Sequence, residues 1–155
     1  MNRSRRAMTV AAGLAVSLGF GMVAATPAAA ATCSPNDVCL WLFYNSETSG
    51  ARLLVKSSIS NLAGYTFSGP GAGAGTAVKN NAASANFRAD NNFYASSGSI
   101  FFNSGYAGPC DQLMSMENGI KSSPRLVRTY NDNASVKIVS GLSGVGNHPT
   151  TCYEW

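Results

Sequence analysis

Two short stretches carry oxygen donors at matching spacing. In Asn80-Asn81-Ala82-Ala83-Ser84 and in Asn131-Asp132-Asn133-Ala134-Ser135, an Asn/Asp pair is followed, three positions after its second member, by a serine and then by an apolar residue, Ala85 or Val136. Side-chain amides, carboxylates, hydroxyls and loop carbonyls are what a hard cation such as calcium takes, at roughly six to eight positions. Asn80, Asn81, Ser84, Asn131, Asp132 and Ser135 are therefore candidate ligands. Affinity depends on ligand charge, and Asp132 is the only carboxylate among the paired positions. The expectation is weak binding, about 0.1 to 1 mM as in extracellular modules. The same residues also suit a folding role, because Asn tolerates left-handed backbone angles and bonds its own backbone, while a serine can tie the loop down.

These stretches belong to a longer repetition. Phe43-Tyr44-Asn45-Ser46-Glu47-Thr48-Ser49-Gly50 aligns without a gap on Phe101-Phe102-Asn103-Ser104-Gly105-Tyr106-Ala107-Gly108. Each copy runs from two aromatics through Asn-Ser to a glycine, and then by a connection of unequal length to the Asn pair. One structural unit is used twice, over about residues 38–88 and 92–140, with a tail at 141–155.

The first 31 residues read as an export signal. Arg3, Arg5 and Arg6 precede an uncharged run over 7–31 that ends in Ala28-Ala29-Ala30-Ala31, small residues suited to signal-peptidase cleavage. Ser4-Arg5-Arg6 also suits twin-arginine export, so the route stays open. The chain's formal charge of +4 rests on those three arginines; from Thr32 onward eight basic side chains face seven acidic ones, a net of +1. The scattered Lys and Arg offer no track for a phosphate backbone. Neither a nucleic-acid partner nor membrane attachment after cleavage is expected.

Residues 32–155 suffice for one domain with a single core. Cys33, Cys39, Cys110 and Cys152 all follow the signal, and an even number in an exported chain reads as two disulfides. Three pairings are possible. Cys33–Cys39 with Cys110–Cys152 is favoured, because the short separation of the first pair suits a bridged turn; the loops would stabilise by roughly 2.4 and 4.0 kcal/mol in the chain-entropy model. A cysteine-ligated zinc would want a Cys-x-x-Cys pair, which is absent.

The elements that position these residues are short strands. Residues 38–44 are apolar and rich in aromatics, and Arg52-Leu53-Leu54-Val55 reads as their hairpin partner. Ser57 to Leu62 is a polar connection with Ile59 and Leu62 turned inward. The glycine-rich run over 68–75 lacks the Gly-Lys-Ser/Thr of a phosphate loop and reads as a flexible surface loop. Leu113-Met114-Ser115-Met116 stands where Arg52 to Val55 stood, and residues 126–130 and 135–139 alternate as strands do. No stretch keeps a helical period. The fold class is all-β, a sandwich of antiparallel units.

Catalysis has little support. His148, the single histidine, sits beside Pro149 without an acid to orient it; the carboxylates are spread singly; the serines lack a G-x-S-x-G context.

With these residues set out, the duplicated aromatic-x6-Gly and Asn/Asp-Asn/Asp-x-x-Ser pattern resembles the double Greek-key unit of βγ-crystallins. The N-terminal Cys33-x5-Cys39 makes the chain similar to the secreted actinobacterial form, the peptidase inhibitor family I36, whose type member inhibits thermolysin-like metalloproteases. The resemblance covers about residues 33–139 and implies an eight-stranded Greek-key sandwich with the two Asn/Asp-x-x-Ser loops as calcium clamps. The residue after each serine, often a second serine in calcium binders, is here Ala85 or Val136. It further implies a monomeric, non-enzymatic inhibitor of an extracellular protease that needs no cofactor, acting through a rigid loop held near a disulfide. The loop candidate is Cys110-Asp111-Gln112-Leu113-Met114, with Leu113 or Met114 as the apolar residue that such a protease wants after the scissile bond. Both residues would otherwise be strand core. The alternative is a secreted crystallin-like structural or weakly calcium-binding module.

Overall fold

The computed structural model describes residues 32–91, 94–142 and 151–155. The expected export signal lies outside them, as do Asn92, Phe93 and residues 143–150 of the tail, including His148. The described chain is all-β. Its strands are β1 (Cys39–Asn45), β2 (Ser49–Val55), β3 (Ser84–Arg88), β4 (Ala95–Asn103), β5 (Ala107–Ser115), β6 (Ile120–Ser123), β7 (Ser135–Leu142) and β8 (Cys152–Glu154). They form two four-stranded sheets, ordered β2-β1-β3-β6 and β7-β4-β5-β8.

Alternation along the strands builds the core. In β1, Leu40 and Leu42 are fully buried while Trp41 between them is half-buried, as expected of a strand with one face inward. Leu40, Leu42, Val55 and Phe87 of the first sheet meet Ile100, Leu113 and Val136 of the second, with Leu62, Phe67, Val78 and Leu126 added from connections. Each such side chain contributes about 1.5–3 kcal/mol by leaving water.

The repetition seen in the sequence is a repetition of register. Phe43 pairs with Arg52 and Asn45 with Ser49, where Phe101 pairs with Cys110 and Asn103 with Ala107, and both hairpins shift register at the same place. Gly50 and Gly108 each have φ +81°, and a Cβ there would press on the amide of Asn45 or Asn103, at 3.2 and 2.9 Å. The glycine closing each copy is thus required twice over, by its backbone angle and by its neighbour. This register corrects one expectation. The segment equivalent to Arg52 to Val55 is Cys110 to Leu113, three residues before Leu113-Met114-Ser115-Met116.

The halves interlock. β6 of the second repeat pairs with β3 of the first, and Ile59 of the first exchanges two backbone hydrogen bonds with Val136 of β7, at 2.8 and 2.9 Å. The polar connection therefore serves as the first repeat's third strand, reduced to a bridge. The eighth strand comes instead from the tail: β8 joins β5 in parallel, Cys110 opposite Cys152.

The glycine-rich run differs from the expected flexible loop. Ala72 accepts from the N–H of Ala51 at 2.9 Å, Phe67 accepts from Gly75 at 2.9 Å, and Ser68 exchanges bonds with Arg52. A Cβ on Gly73 would lie 2.1 Å from the ring of Tyr44. The glycines let this run lie flat against the hairpin.

Candidate functional site

The Asn/Asp-x-x-Ser motifs cross each other between the two repeats. Asn80 and Asn131 both turn the chain with positive φ, 62° and 56°. The N–H of Asn80 donates to the carbonyl of Asn133, and that of Asn131 to the carbonyl of Ala82, which is Asn133's equivalent, at 2.8 and 3.0 Å. Ser84 Oγ accepts from Thr48 N–H at 3.0 Å and donates to the Asn45 carbonyl at 2.5 Å; Ser135 Oγ accepts from Tyr106 N–H at 3.0 Å and donates to the Asn103 carbonyl at 2.7 Å. Both serines are fully buried. Each hydroxyl pins its own hairpin.

The remaining candidates line two clefts. The first, about 380 Å³, is bordered by Tyr44, Asn45, Ser46, Asn81, Ala83, Tyr130 and Asn131; the second, about 260 Å³, by Phe102, Asn103, Ser104, Asp132, Ala134, Lys79 and Asn80. Position by position, these sets are repeat equivalents. Asn81 and Asn131 thus share one cleft, while Asp132 and Asn80 share the other. The first cleft holds no carboxylate, and the Arg125 guanidinium lies 4.4 Å over the Tyr130 ring. The second holds one carboxylate together with the Lys79 ammonium, which donates to Asn61 and Ser104 at 3.2 and 3.3 Å. Among the described residues no three His, Cys, Asp or Glu side chains gather. The first cleft offers a divalent cation only uncharged oxygens, and the second offers one carboxylate.

Cys110, Asp111, Gln112, Leu113 and Met114 do not form an exposed loop. They lie in β5 between β4 and β8; the first four are buried and Met114 is half-buried. The reason is the register above, which makes this segment the core strand of the second hairpin. Cys110 is joined to Cys152, and Cys33 to Cys39, with Cα atoms 4.2 and 6.1 Å apart.

The position that alternation alone would reserve for an apolar side chain carries Asp111, fully buried. Its carboxylate accepts from the backbone N–H groups of Val127, Arg128 and Thr129, each at 2.9 Å, from the Thr129 hydroxyl at 2.8 Å and from the Trp155 indole at 3.3 Å. A buried carboxylate is tolerated when donors surround it in this way. The consequence overturns the strand expected at residues 126–130. Three successive N–H groups converge on one carboxylate, so this segment bends around it instead of pairing in a sheet. Leu126 and Thr129 turn inward, whereas Arg125, Val127 and Arg128 face solvent, Val127 at 51% exposure. The sequence contains a signal for this site: continuing the gapless repeat alignment three residues past Gly108 sets Asp111 opposite Leu53, a charge at a core position.

At the other end of the domain, Asp37 is held below the usual carboxylate range, first by its 2.8 Å bond from Lys56 and then by the N–H of Ser34. It braces the turn closed by Cys33–Cys39.

No protein-family model matches the chain, and no curated protein does. Solved structures do. A βγ-crystallin domain determined to trace the evolution of the eye-lens fold superimposes with a TM-score of 0.50 at 11% identity, covering 71% of this chain and 93% of that one. A βγ-crystallin from Ciona intestinalis gives 0.41 at 19% identity over 64% and 96%, and the N-terminal domain of Protein S gives 0.42 at 17% over 66% and 96%. With two interlocked sheets and duplicated hairpins, the first of these likenesses makes the architecture that of a βγ-crystallin, a sandwich of two Greek keys.

Proposed function

We propose that this protein is a secreted, non-enzymatic proteinase inhibitor, acting as a monomer on a thermolysin-like metalloprotease through the loop over residues 124–130. One observation carries the reading. An exposed apolar side chain, Val127, stands on a loop whose backbone is braced from beneath by the buried Asp111, next to the disulfide-bonded Cys110. A segment held in one shape loses little entropy on entering a protease cleft. Val127 supplies the apolar group such an enzyme takes after the scissile bond, a role that the buried Leu113 cannot fill. The two disulfides support an oxidising, extracellular setting.

The test is to incubate the purified protein with a thermolysin-type protease. Inhibition at micromolar excess is expected, and Val127→Asp is expected to abolish it without unfolding the protein. A wild-type chain that fails to inhibit at that excess ends this reading.

The twin clefts favour a second reading, a crystallin-like module with weak calcium binding. Asp132 is the carboxylate that supports it, and an affinity of about 0.1 to 1 mM is proposed there.

A further inference from the structure

The Asp111 carboxylate is sealed from water partly by the C-terminal strand, and that strand is held by a covalent bond. β8 pairs with β5 over three residues, placing Tyr153 opposite Asp111. The Trp155 N–H bonds the Gln112 carbonyl at 3.0 Å, and its indole stacks edge-on against Tyr153, with centroids 5.2 Å apart, while donating to Asp111. So short a strand has few backbone bonds of its own to keep it in place; Cys110–Cys152 fastens it to the strand that carries Asp111.

We propose that β8 and Trp155 are a reducible latch on the loop over residues 124–130. This deepens the inhibitor reading, naming a regulation of that same loop. A dithiol reductant opens the latch. Its thiolate attacks Sγ of Cys152, the more exposed partner, the S–S bond breaks, and Cys110 leaves as a thiolate that takes up a proton. The second thiol of the reductant then displaces Cys152, so the protein gains two electrons and two protons and the dithiol is oxidised to a disulfide. With β8 released, the indole donor is lost and water reaches the carboxylate, where it competes with the N–H groups of Val127, Arg128 and Thr129. The loop loses its single shape while the two sheets persist.

Amide hydrogen exchange on the full chain carrying Cys33→Ala and Cys39→Ala, which keeps only the second bridge, reads this directly. Adding dithiothreitol should speed exchange at Val127, Arg128 and Thr129 by about tenfold or more, the scale of losing one bond to a charged group, with β1 and β4 amides unchanged. Trp155→Phe in the otherwise native chain, with both bridges intact, should speed the same three amides by a smaller factor. Loop amides that keep their rates in both experiments overturn the latch, as does a reduced chain in which every strand amide accelerates equally. If the latch behaves as stated while neither form inhibits the protease, the inhibitor reading alone falls.

Discussion

The two repeats share a hairpin register and differ at one inward-facing pair. Leu53 of β2 and Asp111 of β5 hold equivalent places in their hairpins, and so do Val78 and Thr129 in the segments that follow. In the first repeat both members are apolar: Val78 lies in the core and Leu53 packs against it. The backbone of the first segment is satisfied locally, Gly75 and Val78 donating to Phe67 and Tyr65. In the second repeat a carboxylate and a hydroxyl replace that pair, and the segment gives three N–H groups to the carboxylate instead. An apolar pair leaves its loop to find its own backbone partners; a carboxylate organises the loop around itself and leaves Val127 outside.

Transplanting the apolar pair breaks this contrast most severely. Asp111→Leu with Thr129→Val strands three N–H groups at roughly 1–3 kcal/mol each, so a loss of at least about 3 kcal/mol is expected in urea unfolding. A loss under 1 kcal/mol would mean that the loop already has other partners. The serine ties should behave alike because their geometry is alike: Ser84→Ala and Ser135→Ala are each expected to cost about 1–2 kcal/mol in thermal unfolding, with additive effects in the double variant. Markedly unequal costs would show the halves to be less equivalent than their hydrogen bonds indicate.

The clefts offer a sharper comparison at smaller energy. Asn81→Asp gives the first cleft the carboxylate that Asp132 gives the second, and calorimetry should register calcium there on the order of tenfold more tightly than in the native chain. Last comes Asp37. Its carboxyl is more acidic in the folded state, so the stabilisation it brings is present above the unfolded value and fades as pH falls through the lowered folded one. In Lys56→Ala, a carbon-detected NMR titration should find the Asp37 midpoint moved upward, and the stability difference from the native chain should vanish in acid.

Much of this molecule follows from residues read in order. The aromatic-x6-Gly pattern demanded a tight hairpin closed by Gly50 or Gly108, and the Asn pairs demanded left-handed turns at Asn80 and Asn131, because few other side chains tolerate those angles. Apolar and aromatic content placed β1, and alternation placed β7, since the two-residue period is a local property of the chain. What lay beyond local reading was decided where distant segments meet. That Ser84 and Ser135 pin hairpins depends on Thr48 and Tyr106, 36 and 29 residues upstream of their serines. Residues 126–130 alternate like a strand, yet a carboxylate from β5 outbids sheet pairing for their N–H groups. The chain alone thus determined the duplicated hairpins and their turns, which rest on backbone angles and periodicity. Tertiary structure decided that Asp111 is buried, that Val127 is exposed and that Trp155 closes over the site, because a charge can enter a core only where the rest of the fold brings donors to meet it.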